Sequence, residues 1–149
     1  MSDHLDDRHA AWELHVELAT RISVASLPPD QGLLSEALSS LEHLSERTRR
    51  ILRDHGPHGD IDGCRFQRLS RTVTDDIVGP LLAQWGPRLA SVDEDAQLGS
   101  GPVERERAWP EQAVLRGELA RMQERLVVIA DELAELAGAR SLIIGIEGV

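Results

Sequence analysis

The chain has no Lys, no Asn and no Tyr, and all sixteen of its basic residues are Arg. The missing amino acids are those with A/T-rich codons, so the bias marks a GC-rich genome and says nothing about mechanism. Cysteine is nearly absent too. Cys64 stands alone and cannot form an internal disulfide, and no basic start leads into an apolar core. Neither an oxidising compartment nor secretion is therefore expected, and the protein is expected in the cytoplasm. Aromatic side chains are limited to Trp12, Phe66, Trp85 and Trp109, while the apolar content is mostly Leu and Ala, which disfavours an all-β fold. No run approaches the roughly 20 apolar residues of a membrane helix; the best candidate, the terminal SLIIGIEGV, is short and broken by two glycines.

What the chain does have is helical periodicity. Leu115, Leu119, Met122, Leu126, Ile129, Leu133 and Leu136 follow at steps of 4, 3, 4, 3, 4 and 3, which keeps seven apolar side chains on one helix face. That seam must be covered by at least two other helices or by a second copy of itself. Leu34, Ala37, Leu41, Leu44, Thr48 and Ile51 form a second seam, expected on a helix over about 31–54. Leu14, Leu18, Ile22 and Ala25 mark a first helix from near Ala10 to about Ser26, after a frayed terminus at 1–9. A third should start near Cys64, with Phe66, Leu69, Val73 and Ile77 inward. It should kink or divide at Gly79-Pro80, resume through Leu81, Leu82, Trp85 and Leu89, and meet a second irregularity at Gly86-Pro87. Residues 55–63 read as a loop, 91–102 as a linker and 138–149 as a tail, with Gly138 ending the last helix. Pro110 either kinks a helix begun near Pro102 or sits in the first turn of the long one. With hydrophobic residues at 41% and charged residues at 28%, composition supports a folded chain. The expectation is a single all-α domain, an antiparallel four-helix bundle with shallow crossing angles near about +20°.

The formal net charge of −10 argues against general binding of polyanions, nucleic acid included. Arg47 to Arg71 runs against that average, with seven Arg and three Asp. Arg50, Arg53, Arg65, Arg68 and Arg71 should meet at one end of a helix pair, a cap that could receive nucleic acid, a phosphate-bearing ligand or an acidic partner. Pairing with Glu42, Glu46, Asp75 and Asp76 is the plainer expectation. Trp12, Trp85 and Trp109 are candidates for core packing or for a protein interface.

Catalytic and metal signatures are sparse. His55, His58, Asp60, Asp62 and Cys64 are metal-ligating types, but a glycine-rich loop does not fix ligand geometry, so a solvated loop is expected. The Glu-x-x-His pairs of di-iron bundles do not occur. His15 and His43 read as partly exposed polar residues or satisfied histidines at a bundle edge. Cys64 beside Arg65 lacks an oriented base, and no G-x-S-x-G, Walker loop or H-E-x-x-H is present.

The stretches WELHVELATRIS (12–23), LSSLEHLSERTRRILRDHGP (38–57), LLAQWGPRL (81–89) and ERERAWPEQAVLRGELARM (104–122) together resemble a family of small, uncharacterised all-helical bacterial proteins of actinobacterial type. The resemblance implies a helical fold and a place beside bacterial conflict or signalling modules; it supplies no ligand or catalytic residue. The leading expectation is a non-enzymatic helical interaction protein, an adaptor or regulatory subunit that binds a protein partner or itself as a dimer, with no cofactor. A nucleic-acid or phosphate-ligand module using the Arg cap is the alternative, and a metal-binding bundle enzyme is the third.

Overall fold

The computed structural model describes residues 2–25, 32–55, 61–95 and 97–143, with side chains undescribed for 2–6, 22–25 and 61–63. The described chain is all-helical, without strands: α1 (Ser2–Ala25), α2 (Leu34–His55), α3 (Ile61–Arg71), a π segment (Thr72–Val78), α4 (Gly79–Glu94), α5 (Pro102–Ala108) and α6 (Gln112–Ala137). α3, the π segment and α4 are continuous, so the described residues form five helical rods.

Every apolar position read from the spacing and described in the structure is internal or half-buried. The seven residues from Leu115 to Leu136 are all buried within this one chain, so the long seam needs no second copy to cover it. α1 packs most extensively on α6, and α3 and the π segment also touch it. The α2 seam is equally internal, Thr48 included; its hydroxyl donates to Leu44 O at 2.7 Å, which removes the cost of burying it. Phe66, Leu69, Val73, Ile77, Leu81, Trp85 and Leu89 complete a shared core.

Four boundaries differ from the sequence reading. α1 starts at Ser2 rather than near Ala10, and Asp7, Ala10 and Ala11 are buried on it, so residues expected to fray are helical. α3 starts at Ile61, inside the expected 55–63 loop, of which 56–60 lie outside the described residues. α4 continues through Pro87 to Glu94, and the expected linker at 91–102 is tied down beyond it. Arg105 donates to the carbonyls of Asp93 (2.5 Å), Gly99 (3.0 Å) and Ser100 (3.2 Å), gathering that connection around one guanidinium. Pro110 lies in a turn between α5 and α6 and kinks neither. The last helix ends at Gly138 as expected: its φ of 72° lets its N–H reach Glu135 O, while Ala139 N–H closes on Ala134 O.

At Gly79-Pro80 the rod does not divide; it runs on through a widened stretch. Pro80 has no N–H, and in a regular helix its ring would strike the carbonyl of Asp76. Over Thr72–Val78 the backbone adopts the wider register, and Gly79 N–H bonds to Thr74 O, five residues back. A Cβ on Gly79 would lie 2.5 Å from that oxygen, so the position admits only glycine without a shift of backbone. Gly117 on α6 has no such neighbour; a Cβ there meets only the far end of Arg121 at 3.7 Å. Gly79→Ala should therefore destabilise by about 1–3 kcal/mol, whereas Gly117→Ala should stabilise by about 0.5–1 kcal/mol. Denaturant melts of the two variants check this difference in sign.

Candidate functional site

The widened turn borders an open groove of about 410 Å³ between the rod and α6. Asp76, Ile77, Pro80, Leu81 and Gln84 line one wall, and Glu118, Arg121, Met122 and Arg125 the other. Ile77, Leu81 and Met122 are buried core residues, so the groove is apolar at depth and charged at its rim. Glu118 is engaged: its Oε2 accepts the indole N–H of Trp85 at 2.5 Å. Arg121 and Arg125, one helical turn apart, are exposed and make no ion pair among the described residues; neither does Asp76 on the facing wall. Apolar depth with opposite charges on facing walls suits a side of another helix or peptide. A second depression of about 360 Å³, lined by Cys64, Gln67, Arg68, Arg71, Thr72, Asp75 and Asp76, meets the groove at Asp76.

The Arg cap is only partly realised. Arg65 reaches Glu135 at 3.8 Å, Arg71 reaches Asp75 at 3.7 Å and Arg47 reaches Glu17 at 3.8 Å. Of the four acids expected as partners, Asp75 alone pairs with an Arg among the described residues, while Glu17 of α1 and Glu135 of α6 take Arg47 and Arg65. Arg50, Arg53 and Arg68 are exposed and carry no ion pair among the described residues.

Two of the three tryptophans are core residues. Trp85 and Trp109 are 2% and 8% exposed and meet edge to face at 5.8 Å, with Arg88 over the Trp85 ring and 3.7 Å from Glu111. They lock the junction of α4 with the α5–α6 turn, which corrects the interface reading for both. Trp12 is half-buried and stacks on His15 at 5.2 Å.

Among the described residues no three His, Cys, Asp or Glu side chains form a group that could hold a metal ion. His55 turns to α1 instead, with Nε2 3.3 Å from Glu13 Oε2 and its ring 6.0 Å from that of His9. His58 and Asp60 lie outside the described residues, and of Asp62 only the backbone is described. Cys64 is an exposed free thiol and His43 is exposed. His15 is a satisfied histidine, but at the centre rather than the edge. It is fully buried, with Nδ1 2.7 Å from Ala130 O and Nε2 2.9 Å from Leu142 N. A neutral ring protonated on Nδ1 meets both, donating to Ala130 and accepting from Leu142. The start of the expected tail is thereby anchored, with Ile143 in the core.

Glu106 was not legible as a special residue. Though 2% exposed, its carboxylate accepts from Leu34 N–H at 2.6 Å and Ser35 N–H at 3.2 Å, satisfying the first amides of α2 from another helix. The sequence hint is slight: neither Gly32 nor Leu33 offers a capping side chain ahead of Leu34. The hollow beside it, about 300 Å³, has Glu36, Arg107, Gln112 and Arg116 on its lining. No described helix is long and apolar enough to cross a membrane.

Set against family models, curated proteins and solved structures, the chain matches none.

Glu106→Ala should lower stability by about 1–3 kcal/mol, since it uncaps α2 and leaves buried amides unmet. Equilibrium unfolding checks the loss, and amide exchange at Leu34 and Ser35 should rise selectively.

Proposed function

We propose that this chain is a non-enzymatic helical interaction module, an adaptor or regulatory subunit, that meets its partner through the outward side of α6 and the groove beside it. One observation carries the reading. The heptad-like seams are consumed inside the molecule, yet two of the four exposed large apolar side chains among the described residues, Val114 at 53% and Val128 at 57%, stand on α6, on either side of the unpaired Arg121 and Arg125. Exposed apolar residues among charges that lack local partners are what an association surface presents before it is covered.

The scaffold for this surface is an antiparallel four-helix bundle of α1, α2, the rod and α6, acting as one domain. Contacts along the helices support that arrangement: Glu13 pairs with His55 and Glu17 with Arg47, while Arg65 pairs with Glu135 and Trp85 with Glu118. In each case a later residue on one helix meets an earlier one on the other. Such a module works in the cytoplasm, and its resemblance to actinobacterial-type helical proteins suggests service in a conflict or signalling system.

Sedimentation velocity and light scattering on tag-free protein, combined with affinity capture using the full chain, test the reading. Concentration-dependent mass or a specific stoichiometric partner is expected; a strict monomer without any partner would sink it.

The exposed, unpaired Arg50, Arg53 and Arg68 favour one second reading, a phosphate-ligand or nucleic-acid module. It requires salt-sensitive binding that falls at least tenfold in Arg50→Ala with Arg68→Ala.

A further inference from the structure

Resting on the interaction reading above, we propose that the partner is a second copy of this chain, laid antiparallel along the outer ridge of α6 with Val128 at the two-fold axis. Val114, Glu118, Arg121, Arg125, Val128, Glu132 and Glu135 recur at steps of 4, 3, 4, 3, 4 and 3. This is the rhythm of the buried seam displaced by one residue, so the ridge occupies the flank about 100° around the helix from it.

Charge on the ridge is sorted. Beyond Glu118, which Trp85 holds, both cations precede Val128 and the acids follow it. Arg121, Arg125 and Glu132 make no ion pair among the described residues, and Glu135, though reached by Arg65, keeps 75% of its side chain exposed. A parallel pairing of two such ridges would set Arg against Arg and Glu against Glu. An antiparallel pairing brings Arg121 to the second copy's Glu135 and Arg125 to its Glu132, on both sides of the axis at once, as an isologous contact requires. Val128 then meets its own counterpart, and its exposed methyl groups are covered. This is the device by which flanking charges choose orientation in coiled coils.

The same geometry limits affinity. Glu124 and Asp131, on the other flank, meet as like charges, the apolar centre is small, and each copy carries a net charge of −10. The contact falls at the weak end of specific interfaces, below about 1,200 Å² in total. Self-association is therefore expected at concentrations on the order of 0.1–1 mM.

The test is a charge swap read by sedimentation velocity. Arg121→Glu with Arg125→Glu, and separately Glu132→Arg with Glu135→Arg, should each weaken self-association at least tenfold, and an equimolar mixture should restore a mixed dimer. Glu132→Arg alone, which leaves the Arg65 contact intact, should weaken it in the same direction, and circular dichroism melts establish that each variant is folded. Val128→Cys in a Cys64→Ser background should cross-link on mild oxidation, while Val114→Cys in that background should not. Wild-type dimers that persist unchanged in the charge-reversed variants would overturn this interface and leave the interaction reading standing. A wild-type chain still monomeric at about 1 mM would overturn the proposal, and affinity capture would then decide the broader reading separately.

Discussion

The constraint on which the molecule depends is the long apolar seam of α6. Seven large side chains on one face of a 26-residue helix have to leave water, and in this structure other helices of the same chain cover them. α1 covers the largest share, and His15 shows how closely the two approach: a buried imidazole hydrogen-bonds the α6 backbone at Ala130. With that seam covered, the second seam on α2 and the apolar side of the rod have places to go. The charged residues of α6 are left facing outward, where their pattern becomes available for recognition.

Much of this was written in local spacing. The 4 and 3 alternation fixes which face of α2 and α6 is buried, because a helix turn is 3.6 residues and only that alternation keeps one stripe in place. The rod was harder. Leu69, Val73, Ile77, Leu81, Trp85 and Leu89 follow at five successive steps of 4, and each step overshoots a turn by about 40°. In a uniform helix that stripe would wander by about 200° and leave the core. All six residues are nonetheless buried, because the wider π turns in the middle absorb the excess. The run of fours was therefore a signal for a widened helix, while the Gly-Pro pair drew the reading towards a break.

Long-range polar contacts left weaker traces. Glu106 looks like any surface glutamate in a charged segment, and nothing nearby announces that its carboxylate ends on α2. The partners of the Arg stretch were hidden in another way: sequence proximity pointed to nearby acids, but α1 and α6 supplied Glu17 and Glu135, which local reading could not place. Trp85 and Trp109 were equally undetermined, since an indole with one polar atom suits a core and an interface alike. The groove borne by Asp76, Arg121 and Arg125 depends on which helices lie side by side, and periodicity alone does not decide that.

The polar contacts that complete the fold join residues far apart in the chain. Glu106 reaches Leu34 across 72 positions, and His15 reaches Ala130 and Leu142 across 115 and 127. A ribosome releases the chain from its first residue onward, so α1 and the start of α2 emerge well before the groups that finish them. Until Glu106 is made the first amides of α2 go uncapped, and until Ala130 and Leu142 are made the buried imidazole of α1 goes unsatisfied. Completion of the contacts of α1 is thus tied to residues made more than a hundred positions later, and loss of the segment that holds Leu142 would reach back to the first helix.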